Sequence, residues 1–223
     1  MKQLPRATIH LSNIVSNWQA LDGLHPGATT AAVVKADAYG LGAVPVARAL
    51  LRSGCSTFFV AYLEEALAVR KALGLGPRIF VLNGPTRKEM SAYIAAGITA
   101  VLSSPDHLKA WANAPKGTSA LHFDTGMNRL GLKAAALATT LTDLQRLQPV
   151  LVMSHLACAD ETGNAMNTAQ LKAFDDIASA FPDTPASLAN SAGCYLGKGF
   201  GYDLIRPGIG LYGGSLPPKG LRI

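Results

Sequence analysis

The hydrophobic pattern of this chain alternates between short, nearly unbroken apolar runs and longer stretches with helical spacing. The short runs fall at 30–36, 57–62, 78–83, 99–103, 120–125, 149–155, 186–191 and 204–210. Several, such as Phe58-Phe59-Val60-Ala61 and Val150-Leu151-Val152-Met153, show no polar alternation. Strands buried on both faces of a parallel sheet read this way, whereas strands with one wet face alternate. Helical stretches lie between them at 44–53, 63–73, 87–96, 105–113, 133–147 and 166–181. Ser104 before Pro105 predicts an N-cap with proline in the first turn. Thr86 with Glu89 predicts a capping box, and Gly74 and Gly97 fall where helices should stop. The seventh connection, around 193–200, is too glycine-rich to predict a helix.

Eight strands alternating with helices predict an α/β protein, a (β/α)8 barrel of TIM type. An open doubly wound sheet is the alternative. One further alternating run, 7–11, precedes the first strand and a helix from about 13 to 21. It has no place in a closed barrel. Residues 1–11 are therefore expected to pair with another β structure, 12–214 to form the barrel, and 215–223 to lead out toward a boundary. No internal repeat or low-complexity segment interrupts this plan.

Composition narrows the class. The 223 residues lie between one average domain and two, a length that one barrel can fill. A 49% hydrophobic and 15% charged chain excludes disorder. The net charge of +6 is scattered, without interleaved aromatic residues, and so argues against a nucleic-acid surface. Cys55, Cys158 and Cys194 are odd in number and form no C-x-x-C pair, which fits a reducing compartment rather than a disulfide framework or zinc ribbon. The N-terminus lacks an apolar signal region, and no uncharged apolar run is long enough to span a bilayer. These features predict a soluble cytoplasmic protein with no membrane partner.

In a parallel barrel the chemistry gathers where strands end. The first strand ends in Lys35, whose burial should favour a neutral amine able to act as nucleophile or base. Gly40-x-Gly42 follows, but Pro45 breaks the dinucleotide fingerprint. Asp124-Thr125-Gly126 occurs once, whereas aspartic protease chemistry needs two such carboxylates. Arg129, just beyond, can bind carboxylate or phenolate oxygens. His155 precedes Cys158 without a second ligand pair, so no metal is predicted. Asn190-Ser191 and Arg206-Pro207-Gly208-Ile209 close the last two strands, where barrels bind phosphate.

Together these residues resemble the alanine racemase family. The run from Ala32 to Gly42, with Val33-Val34-Lys35-Ala36-Asp37-Ala38-Tyr39-Gly40, looks like its cofactor-lysine signature. Further matches run, in family order, from Asp124 to Gly131, Ser154 to Glu161, Asn190 to Ala192 and Arg206 to Gly213. The resemblance implies a pyridoxal 5′-phosphate (PLP) enzyme that interconverts L- and D-alanine by two bases, supplying D-alanine for peptidoglycan. Lys35 would carry the cofactor and be one base. Tyr39, Asn190 and Ser191, with Gly208 and Ile209, would bind the cofactor and its phosphate. Arg206 would face the pyridine nitrogen, His155 would lie close to the ring, and Arg129 would bind the substrate or the phenolate oxygen.

Two departures accompany the resemblance. The family often has a carbamylated lysine two residues before the Asp124 position, and here it is His122. The family also has a second, mostly β domain that supplies a tyrosine base across a homodimer interface. That domain would lie beyond Ile223, so this chain is expected to be an N-terminal portion of the enzyme. A non-catalytic PLP-binding barrel and a racemase of broader amino-acid specificity remain as alternatives. A PLP decarboxylase of the same barrel class should carry an acidic residue where Arg206 stands.

Overall fold

A computed structural model describes residues 6–112 and 117–214. Eight parallel strands form its centre. They are β1 (Thr29–Thr30 and Ala32–Val33, interrupted at Ala31), β2 (Thr57–Val60), β3 (Arg78–Val81) and β4 (Thr99–Leu102). They continue as β5 (Ser119–Asp124), β6 (Val152–Met153), β7 (Ala186–Ser187) and β8 (Leu204–Ile205). Each pairs in parallel with its neighbour from β1 to β7. The ring closes because β8 pairs with β1, Thr29 opposite Leu204. On its other side, the Asp203 and Arg206 N–H groups donate to the Ala186 and Ala189 carbonyls at 3.1 and 3.0 Å. The expected eight-stranded barrel is thus present.

The unbroken apolar runs have a simple cause: consecutive residues bury on opposite faces. Val33, Phe59, Phe80, Val101, Ala120, Met153 and Leu204 fill the barrel interior. Their chain neighbours Ala32, Phe58, Ile79, Ala100, Leu121, Val152 and Ile205 pack outward against the helices. Phe59 and Phe80 stack inside with ring centroids 4.6 Å apart.

The helices are α1 (Leu11–Asp22), α2 (Ala43–Arg52), α3 (Leu63–Leu73), α4 (Met90–Ala95), α5 (Pro105–Trp111), α6 (Leu137–Arg146) and α7 (Ala165–Ser179). α1 covers the β1–β8 seam, where Trp18 donates to the Thr30 carbonyl at 3.1 Å and Asn17 to that of Leu211 at 2.9 Å. Among the described residues no helix is long and apolar enough to cross a membrane.

Several boundaries differ from expectation. α1 starts at Leu11, and the described part of the 1–11 segment, residues 6–10, is in no ladder. Residues 1–5 and the exit segment 215–223 lie outside the described residues. Ser104 caps α5 as predicted, accepting from the His107 N–H at 3.2 Å. Thr86 and Glu89 do bond, but they close a turn before α4 rather than capping it. The helix predicted from 133 starts at Leu137, after a 3-10 turn at Ala134–Ala136. Leu132–Lys133 instead adds a short strand to β5. Gly131 permits that approach: a Cβ there would lie 2.4 Å from the Asp124 backbone nitrogen.

Candidate functional site

All the strand ends that carry chemistry open into one cavity of about 880 Å³. Lys35 and Tyr39, Arg129, His155, Asn190, Ser191, Arg206, Gly208 and Ile209 line it. The structure thus brings these sequence-predicted residues together around one cavity. Its charged walls are Lys35, Arg129 and Arg206 against Asp160, an excess of positive charge suited to an anionic ligand.

β1 stops at Val33, and just past Lys35 the backbone reverses hand. Ala36, Asp37, Ala38 and Tyr39 all have φ between 51° and 55°. Each such residue costs roughly 1–2 kcal/mol relative to a right-handed turn. The neighbours hold the strained turn in place. The Glu65 carboxylate accepts from the Ala36 N–H at 2.6 Å, and Asp37 accepts from the Ala43 N–H at 2.6 Å. Tyr39 packs on Tyr212, ring centroids 5.0 Å apart, and the Tyr212 hydroxyl donates to the Val33 carbonyl at 3.0 Å. Burial, then the Arg129 charge, pulls the Lys35 amine below its ordinary range, and Glu65 opposes this.

Arg206 is 4% exposed, and no carboxylate pairs with it among the described residues. Its guanidinium donates to the Ser187 hydroxyl and the Ser154 carbonyl, and at 3.5 Å to that of Leu188. Burial lowers its pKa to about 9, so it stays charged at neutral pH. A buried cation without an anion is costly, and a ligand that accepts from it removes the deficit.

Ser191 joins the last two strand ends. Its Oγ accepts from the Gly208 N–H at 2.8 Å and the Gly210 N–H at 3.0 Å, which leaves its own proton for a ligand oxygen. The Tyr39 hydroxyl reaches so close to Gly208 that a Cβ there would lie 2.5 Å from it. Partial burial pushes the Tyr39 phenol up, which keeps it a donor. Asn190 is engaged differently. Its amide donates to His155 Nε2 at 3.4 Å and the Leu156 carbonyl at 3.2 Å, and its oxygen accepts from the Gly193 N–H at 2.9 Å. In this geometry Asn190 orients His155. Burial, then Arg206 and Arg129, keeps the His155 imidazole neutral.

Arg129 reaches the cavity from a loop organised by Asp124. One Asp124 oxygen accepts from the Gly126 and Asn128 N–H groups, each at 3.0 Å, and the other from Lys133 at 2.6 Å. Burial alone would raise the Asp124 carboxyl, but Lys133 and those N–H groups more than offset it. His122, 5% exposed, makes no hydrogen bond to Arg129, and its Nδ1 is unpartnered. Burial and the nearby Arg206 and Arg129 charges bring its pKa down to about 3.

Three supporting residues escaped the sequence reading: Glu65, Ser187 and Gln170. The fully buried Gln170 amide donates to Thr125 Oγ1 at 3.1 Å and the His155 carbonyl at 3.0 Å, and accepts from the Ala157 N–H at 2.8 Å. It ties the loop after β5 to that after β6. A buried polar residue on a helix face was the only available sign, and it names no partner.

Comparison with known proteins agrees with this geometry. Residues 9–216 match the family described as alanine racemase, N-terminal domain. The alanine racemase of Rhodospirillum rubrum is 47% identical over 217 residues, 93% of this chain and 58% of that protein. The catabolic alanine racemase of Mesorhizobium japonicum is 47% identical over 215 residues, 92% of this chain and 56% of that protein. Among solved structures, alanine racemase from Bartonella henselae with covalently bound pyridoxal phosphate superposes with a TM-score of 0.90 at 35% identity. That match covers 98% of this chain and 68% of the other. The biosynthetic alanine racemase of Pseudomonas aeruginosa gives 0.85 at 35% identity, covering 95% and 60%. The chain thus spans somewhat more than half the length of the relatives it matches, and over that span it belongs to the alanine racemase family.

Proposed function

We propose that this chain is the PLP-binding barrel of an alanine racemase that interconverts L- and D-alanine. The observation that carries the reading is Arg206, buried and unpaired, sharing one cavity with a Lys35 amine drawn toward its neutral form. The site fits the cofactor: Tyr39 and Ser191, whose hydroxyl proton is freed by the Gly208 and Gly210 N–H groups, offer donors for a phosphate, Lys35 an amine for an aldehyde, and the volume suits a small ligand. PLP, when bound, supplies an electron sink that makes the α-proton of an amino acid removable.

The chain's own residues do the rest. Lys35 takes or returns a proton at the substrate α-carbon, which a neutral amine can do and an ammonium cannot. Arg206 would hold the cofactor's ring nitrogen through a donor that does not give up its proton, which would leave that nitrogen unprotonated and the electron sink weaker. That would restrain transamination in favour of proton removal and return. Arg129 would bind the substrate carboxylate or the cofactor phenolate, and neutral His155, held by Asn190, would contact the cofactor ring. The second base, a homodimeric assembly and a cytoplasmic location belong to the same proposal. Exposed apolar side chains beyond the strand ends, Tyr62, Leu130, Met166 and Ile209, support a covered cavity mouth. The 6–10 segment, unpaired here, would meet a β domain.

Loaded with PLP, the chain should exchange the α-proton of alanine for solvent deuterium, and Lys35→Ala should not. PLP binding with neither exchange nor racemisation, in an enzyme that includes the family's second domain, would favour a non-catalytic barrel instead. In that enzyme, Arg206→Glu should raise transamination relative to racemisation.

A further inference from the structure

We propose that Glu65 is a positioning residue for Lys35, and that it does so by pinning the left-handed turn that begins at Ala36. The inference rests on Lys35 being the cofactor lysine. Glu65 is in the first turn of α3, and its Oε2 accepts from the Ala61 and Tyr62 N–H groups at 2.7 and 3.1 Å. Starting a helix needs no more than that. Its Oε1 reaches across to the end of the adjacent strand and accepts from the Ala36 N–H at 2.6 Å. One carboxylate therefore joins the ends of β1 and β2 at the residue next to Lys35. The turn it holds is four non-glycine residues in left-handed conformation, which persists only where its surroundings over-determine it.

Glu65 acts on Lys35 in a second way. The groups facing the amine are Arg129 from the loop after β5, His155 from β6, Arg206 from β8, Tyr39 from the turn, and Glu65. Glu65 is the anion that opposes burial and Arg129. Position and charge can be separated by substitution. Glu65→Asp keeps the charge and can still cap α3, but it is one methylene shorter. Glu65→Gln keeps the length and removes the charge.

The test has two readouts on the cofactor-stripped chain. Trace acetylation by acetic anhydride, followed by peptide mass, gives the titration midpoint of Lys35. The rate of PLP capture, trapped by borohydride well above that midpoint, reports position alone. Glu65→Gln should lower the midpoint by roughly half to one pH unit, and Glu65→Asp should leave it near that of the unmodified chain. Glu65→Asp should slow capture about tenfold at unchanged circular dichroism, whereas Glu65→Gln, whose amide oxygen still reaches the Ala36 N–H, should change it much less. Unmodified midpoints and capture rates in both variants would overturn the proposal and leave Glu65 a helix cap. If Glu65→Gln fails to fold, the capture rate of Glu65→Asp decides. If the unmodified chain captures no PLP at all, the cofactor reading fails, and the Glu65→Gln midpoint still decides whether Glu65 acts on Lys35.

Discussion

The Arg206 guanidinium donates to the Ser187 hydroxyl, which in turn donates to the Leu204 carbonyl at 2.5 Å. A short polar side chain on β7 thus fixes the orientation of the buried cation on β8. Ser187→Ala removes a hydrogen bond to a charged group, a loss of about 1.5–3 kcal/mol. The thermal midpoint should fall by several degrees and PLP affinity by about tenfold, which melting curves and a cofactor titration would show. Unchanged affinity would mean that Ser187 does not position Arg206.

Two glycines should separate fold from site. Gly131 has φ +128°, and a Cβ there would meet the Asp124 backbone. Gly131→Ala should destabilise the fold by about 2 kcal/mol or more, read from denaturant unfolding. At Gly208 a new Cβ would meet the Tyr39 hydroxyl at 2.5 Å, the far end of a side chain. Gly208→Ala should therefore weaken PLP binding while moving the unfolding midpoint much less.

The two inward imidazoles make stability depend on pH. His122 is held down to about 3 and His155 well below its ordinary value, both chiefly by burial. The unfolded chain takes up protons near pH 6.5 that the native chain refuses. Their contribution is complete above that pH and is lost as pH falls from about 6.5 toward 3. The slope should approach 1.4 kcal/mol per pH unit for each imidazole, measured by urea unfolding between about pH 5 and 6. His122→Asn should reduce it by about one proton's worth; an unchanged slope would contradict the assignment.

The barrel was legible because paired apolar residues such as Phe58 and Phe59 bury on opposite faces of one strand, and the sequence records both. Strand ends were less legible. β1 stops at Val33 rather than 36 because the backbone turns left-handed, which the non-glycine run Ala36-Asp37-Ala38-Tyr39 does not announce. The strand at Leu132–Lys133 depends on Gly131 approaching Asp124, a tertiary contact inside an apparently helical stretch. That Lys35, Arg129 and Arg206 line one cavity was legible because each follows a strand. Glu65 and Gln170 were not, because Ala36 and Thr125 are 29 and 45 residues away from them. Sequence spacing shows which face a polar residue takes, not what folding brings against it.

Lys35, which shares one cavity with Arg206, is the residue proposed to take PLP. Incubation with PLP, reduction by borohydride and peptide mass analysis test it directly. One phosphopyridoxyl group is expected on the peptide containing Lys35, and no such adduct or cofactor absorbance band in Lys35→Ala. An adduct on another lysine, or full PLP retention by Lys35→Ala, would contradict it.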